Sequence, residues 1–432
     1  MKFKVLDSYS WFVNVIVIGS IFFIWLLNSS DVSMVLGLVG CFSISGSYFV
    51  FDVVSFYLSL LSILLLFILL FLYEGVSCRS KFFIVVSIFS SLLCYCSNFF
   101  FFFFLFYEVS ILSLLLLLVV ESPYSERYLA GWYLGGYVVL TSLPMLLCLF
   151  YFVCVSGSVY MSDWFVSGLL GGSLSRAIVV LLGVLFITKI PIFPFHSWLP
   201  VVHAEATSIV SVCLSGYVMK LGLLGVCRFC WWVVSDSLFF LGYVVVALFF
   251  SVLFFLVSSW ELDGKRWLAF LSLSHIVICI VCLGVGLYDS SGLVFLYSLG
   301  HGLSAGLVFV YLWLGYELCG SRNWVILKSV LGGSLFFRVL LVLCLCTVAS
   351  LPPVVQFFVE VSLLGVVGVV SLLLSVFFCV YLFLGNLVPL FVVGSMLSRH
   401  FCYEYGAGFS LLNYSLCLLL LLFWSFFAFL VF

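Results

Sequence analysis

Hydrophobic positions in this chain come in long blocks, and the polar positions between them come in short clusters. About twenty consecutive apolar residues cross a bilayer as one helix. The blocks predict spans at 9–27, 33–49, 53–73, 82–97, 99–120, 131–155, 177–193, 207–230, 239–258, 267–287, 292–314, 329–349, 354–387 and 410–431. That is about fourteen transmembrane helices. Between 329 and 387 the pattern is least clear, and the last long block mixes the end of one helix with the next. The class is an all-α polytopic membrane protein forming one transmembrane domain over 1–432.

Composition agrees: 66% of residues are hydrophobic and 7% charged, with a mean hydropathy of +1.44. No stretch has enough charge to cover a water-soluble domain. A net charge of −1 argues against a nucleic-acid partner. The opening MKFK followed by an apolar run has the outline of a signal peptide. The run is long and lacks a small-residue cleavage site, so it is read as a retained first helix. Seventeen cysteines scattered through apolar segments do not form a disulfide framework. The pairs Cys227/Cys230 and Cys279/Cys282 have metal-like spacing but fall in helical stretches, where small apolar packing is the better reading. Arg79, Lys81, Arg127, Lys265, Arg266, Arg322, Lys328 and Arg399 fall on one side of the predicted topology. Lys2, Lys4, Arg176 and Arg228 fall on the other, which places the termini outside.

An ionisable group at mid-bilayer costs about 2.5–3.5 kcal/mol on insertion scales, so charges inside apolar blocks need a reason. Four stand out. Glu108 lies in NFFFFFFLFYEVSILSLLLLL, Lys189 closes VVLLGVLFITK, Lys220 sits in SVCLSGYVMKLGLLGV, and Glu360 follows SLPPVVQFFVE. Two acids and two bases can pair within a bundle; buried structural ion pairs or side chains reaching for the interface are the competing reading. Pro191 and Pro194 follow Lys189, and Pro352 and Pro353 precede Glu360. Proline removes a backbone donor, and unwound backbone within a membrane survives only inside protein or beside water. Two proline-broken helices about five helices apart are the pattern of inverted repeats, here approximately 82–230 and 239–390, flanked by helices in 1–75 and 410–432. His196 and His203 flank the first break, while His275 and His301 lie in later apolar helices among small or hydroxylated neighbours. Histidine titrates near neutrality and suits a proton relay.

These residues carry a resemblance. KIPIFPFHSWLPVVHAEATSIVSVCLSGYVMKLGLLGVCRF resembles the central signature of the antiporter-like, proton-pumping membrane subunits of respiratory complex I (NADH:ubiquinone oxidoreductase). YEVSILSLLLLL resembles that family's fifth helix, DGKRWLAFLSLSHIVI the start of its tenth, HGLSAGLVFVYLWLGYELCGSR its eleventh, and LPPVVQFFVE its broken twelfth. The ordered matches run from about residue 50 to 365. Thr207 stands where the family usually has proline, so re-entry into the eighth helix is expected to differ.

The resemblance implies proton translocation as one subunit of an H⁺-translocating NADH:ubiquinone reductase, with Glu108, Lys189, Lys220 and Glu360 as the relay and His275, His301 and Lys265 as secondary members. It implies the mitochondrial inner membrane, or a bacterial plasma membrane, and other membrane-arm subunits as partners. No nucleotide fingerprint, phosphate loop or convincing cluster ligand is present in the sequence. NADH, FMN, iron–sulfur clusters and ubiquinone are therefore expected in partner subunits, with no cofactor or metal on this chain. The alternative within the same fold is a sodium–proton antiporter subunit of a multi-subunit secondary transporter.

Overall fold

The computed structural model describes residues 43–45, 48–72, 77–166, 173–230, 238–285, 290–331, 334–398 and 410–428. The predicted span 9–27, most of 33–49, and the charges Lys2, Lys4 and Arg399 lie outside the described residues, so these do not fix the expected total of about fourteen spans. In chain order the elements are β1 (Ser43–Ser45), β2 (Val50–Asp52), α1 (Val53–Phe71), α2 (Cys78–Cys96), α3 (Phe100–Glu121), α4 (Arg127–Ser156), α5 (Met161–Val166), α6 (Ser173–Ile187) and α7 (Trp198–Glu205). Then come α8 (Ser208–Phe229), α9 (Leu241–Trp260), α10 (Gly264–Val285), α11 (Ser290–Cys319) and α12 (Trp324–Leu331). The chain closes with α13 (Leu335–Val348), α14 (Val355–Val370), α15 (Leu372–Leu397) and α16 (Ser410–Phe427). Among the described residues nine helices are long and apolar enough to cross a membrane, and four apolar ones are shorter.

Two expectations are corrected. Residues 43–45 are not the end of a helix; they pair antiparallel with 50–52, Ser43 opposite Asp52. The local sequence FSISGS is rich in serine and glycine, which favour turns over helix. The predicted span 329–349 is two helices, α12 and α13. The long block 354–387 does mix two helices, as its length suggested: Ser371 ends α14 in extended backbone and its hydroxyl caps the first turn of α15.

The two proline breaks fall where expected. α6 stops at Ile187, two residues short of Lys189, and the chain turns through 188–197 before α7 starts. α13 stops at Val348, and Pro352 and Pro353 separate it from α14. Pro144 in α4 and Pro389 in α15 lie inside continuous helices, so proline alone does not make a break here. The chain re-enters α8 directly after Thr207, whose carbonyl accepts from the Ser211 amide at 3.0 Å. The absent proline does not prevent the restart.

Burial ranks the helices. The apolar window of α8 is wholly buried and that of α11 is 94% buried, against 25% for α4. α11 packs on α1, α8, α10, α13, α14 and α16, and forms the axis of the bundle. α8 contains a π-helical turn, Leu214–Val218, ending two residues before Lys220; such turns recur at functional positions.

The loops sort by charge. At one end, Arg127 donates to the Ser122 carbonyl at 2.7 Å, Lys265 to Ala206 at 2.9 Å, and Arg322 pairs with Asp263 at 3.5 Å. At the other end Arg228 pairs with Asp52, the N-cap of α1, at 3.2 Å and donates to the Tyr95 carbonyl.

Candidate functional site: a buried row of titratable side chains

The break after α6 sets Lys189 against α3. Its ammonium lies 3.5 Å from Glu108 Oε1 and 4.6 Å from the ring centre of Tyr107, the residue before that glutamate. Lys189 is 2% exposed and Glu108 9%. A carboxylate and an aromatic face therefore share one buried cation.

α8 passes the break at close range. A Cβ on Gly222 would come within 3.0 Å of the Phe186 carbonyl and 3.1 Å of the Ile190 amide. Glycine is what allows the helix bearing Lys220 to lie against the backbone next to Lys189. Lys220 is fully buried, donates to the Ser215 carbonyl in the π turn, and lies 3.0 Å from His301 Nδ1 on α11. Ser215 also bonds His203 Nε2 at 3.2 Å, which brings the end of α7 to the same point.

The row continues across the bundle. The rings of His301 and His275 are 6.1 Å apart. His275 Nδ1 lies 2.7 Å from the Tyr381 hydroxyl and 3.4 Å from that of Tyr297. Both hydroxyls reach Glu360 Oε1, at 3.2 Å from Tyr297 and 3.4 Å from Tyr381. Glu360 Oε2 accepts from Ser350 at 2.6 Å. Ser350 sits at the second helix break with φ of +47°, a left-handed conformation that costs a non-glycine residue.

Six of the seven expected residues thus fall into two buried groups: Glu108 with Lys189, and Lys220, His301, His275 and Glu360 in order across the bundle. Lys265 is placed differently. Its ammonium and the Arg322 guanidinium both donate to carbonyls at the C-terminal end of α7, those of Ala206 and Ala204. The Tyr124 ring covers both, 5.7 Å from Lys265 and 4.3 Å from Arg322. Cations at a helix C-terminus stabilise its exposed carbonyls and complement its dipole.

Sequence reasoning passed over Tyr297, Tyr381, Ser350 and Gln356. Gln356 is fully buried, one turn before Glu360, and neither atom of its amide has a partner. A tyrosine, serine or glutamine in an apolar helix carries no charge to mark it. The only available signal was helical spacing, since Gln356 and Glu360 are four residues apart. Among the described residues no three histidine, cysteine or acidic side chains gather to hold a metal ion.

Fold and row together define an α-helical polytopic membrane protein with an ionisable axis buried between two broken helices. The chain belongs to the NADH:quinone oxidoreductase/Mrp antiporter transmembrane family, whose description matches residues 97–385. Among curated relatives, NADH-ubiquinone oxidoreductase chain 4 of Mytilus edulis is 31% identical over 281 residues, 62% of each chain. Chain 4 of Rhipicephalus sanguineus is 31% identical over 209 residues, 48% of this chain and 46% of that one. The matches thus span about half to three-fifths of those relatives' length. Among solved structures, a chain of respiratory complex I from Thermus thermophilus with bound NADH superposes with a TM-score of 0.79 at 18% identity, covering 98% of this chain and 90% of that one. A chain of the Mrp complex from Dietzia sp. DQ12-45-1b gives 0.70 at 16% identity, covering 84% and 68%. Both show the same fold.

Proposed function

We propose that this chain is the chain 4 membrane-arm subunit of respiratory complex I in the mitochondrial inner membrane. There it moves protons along the row from Glu108 and Lys189 through Lys220, His301 and His275 to Glu360. The observation that carries this reading is the nitrogen-to-nitrogen approach of Lys220 and His301 at 3.0 Å inside a helix pair sealed from solvent. A structural ion pair would put a carboxylate there; a titratable acceptor is what proton transfer needs. The two broken helices are read as equivalent elements of repeats 82–230 and 239–390.

The Glu108–Lys189 pair serves as the switch. At an effective dielectric near 20, opening two opposite charges from about 4 to 8 Å weakens their attraction by roughly 2 kcal/mol. That is enough to redirect a proton from Lys189 toward Lys220. Moving a charge against the membrane potential costs about 2.3 kcal/mol per 100 mV, so energy must come from outside the chain. NADH, FMN, iron–sulfur clusters and ubiquinone belong, on this reading, to partner subunits.

The test is Lys220→Met and Glu108→Gln in the intact complex. Each is expected to abolish quinone-linked pumping while assembly persists; pumping that survives both overturns the relay. The second reading, a sodium–proton antiporter subunit, is favoured by the Mrp half of the family description. Co-purification with a flavin and iron–sulfur arm selects the first; sodium-dependent exchange without that arm selects the second.

A further inference from the structure

No contact joins His275 directly to Glu360 among the described hydrogen bonds; two phenol hydroxyls stand between them. They come from different helices, Tyr297 from α11 and Tyr381 from α15, and are 3.3 Å apart. Each faces three hydrogen-bonding partners: His275 Nδ1, which donates or accepts according to its protonation, Glu360 Oε1 and the other hydroxyl. Both rings are buried, and Tyr381 is stacked on Phe378. The far ring nitrogen, His275 Nε2, is buried without a partner. Two O–H protons cannot satisfy every acceptor at once, so the cluster has at least two hydrogen-bond arrangements.

We propose that Tyr381 and Tyr297 are proton-conducting residues that hand H⁺ between His275 and Glu360; this rests on the relay reading above. The step balances without electron transfer. The Nδ1–H bond of an imidazolium breaks as a new O–H bond forms on Tyr381. The proton Tyr381 held before passes to Glu360 Oε1. Imidazolium and carboxylate become imidazole and carboxylic acid, and Tyr381 ends as it began, with its O–H turned around. That hydroxyl must rotate back before the next transfer, so the cluster passes one proton at a time. Tyr297, in contact with the same two groups, supplies a parallel route.

The experiment uses Tyr381→Phe, Tyr297→Phe and the double variant in the intact complex, with Glu360→Gln alongside. Phenylalanine keeps the packing and removes only the hydroxyl. Each single variant is expected to slow quinone-linked pumping several-fold, and the double by about 100-fold, the scale of a lost proton-transfer group. The solvent deuterium isotope effect on pumping should rise in the singles, which a packing role would not produce. If Glu360→Gln blocks pumping while the double variant pumps normally, the tyrosines are not conductors and the relay stands. If Glu360→Gln itself pumps normally, the relay reading fails. Should the double variant not assemble, infrared spectroscopy of the singles decides. The carboxyl band that disappears in Glu360→Gln should shift in each of them, and an unshifted band in both overturns the proposal.

Discussion

Lys220 and His301 meet at 3.0 Å, and among the described residues the ammonium has one further hydrogen-bond partner, the Ser215 carbonyl. Lys189 has a carboxylate at 3.5 Å and an aromatic face as well. The two buried lysines are therefore not equivalent. One is held by a counter-charge, and the other faces a base able to take its proton. Arginine keeps a positive charge but does not deprotonate in proteins. Lys220→Arg should thus fail as completely as Lys220→Met, with loss of pumping on the order of 100-fold or more. Vesicle acidification, with assembly checked on native gels, measures it; an active arginine variant would show that charge alone suffices.

The Glu108–Lys189 pair makes a second prediction, about stability. Removing one partner of a buried pair leaves an uncompensated charge and costs about 3–5 kcal/mol. Glu108→Gln should lower the unfolding temperature of the purified complex. Adding Lys189→Met should recover much of the loss, because the orphaned cation goes too. Additive losses in that double-mutant cycle would mean that the two side chains do not interact.

Ser350 combines a costly backbone with a hydrogen bond to Glu360. The two are separable by substitution. Ser350→Gly relieves roughly 1 kcal/mol of backbone strain and Ser350→Ala keeps it; both remove the donor. Pumping should fall several-fold and equally in the two, while the glycine variant is the more stable. Loss of pumping in Ser350→Gly alone, with Ser350→Ala active, would assign the role to the backbone instead.

Glu108, Lys189, Lys220 and Glu360 were legible because a charge in an apolar block has few excuses, and prolines marked both breaks. Tyr297, Tyr381 and Ser350 were not. Their placement depends on which hydroxyl meets which carboxylate across three helices and a helix break, and an isolated apolar segment does not encode that. The place of Lys265 was not legible either. Its position before a long apolar helix fits a relay, but its ammonium is committed to the end of α7. The strand at 43–45 was masked by apolar neighbours whose count suits a helix, while serine and glycine between them set a different backbone.

Lys265 and Arg322 make the fourth prediction. α7 has eight residues, too few to be stable alone, and its last carbonyls rest on these two cations. Lys265→Met or Arg322→Leu should each cost about 1–2 kcal/mol of stability, as a lost charged hydrogen bond does. Lys265→Met should leave the number of protons moved per electron unchanged. A fall in that ratio at normal stability would return Lys265 to the relay.

The near-complete enclosure of α11 has a consequence for how the molecule is made. A newly inserted hydrophobic helix first meets lipid on all sides. α11 ends with scarcely any lipid contact, so it must exchange acyl chains for at least six protein neighbours, some of them synthesised after it. The row of histidine and tyrosine groups it carries is therefore completed only when the C-terminal helices dock, and a ribosome-bound chain that has not yet made α14 and α15 holds only part of that buried row.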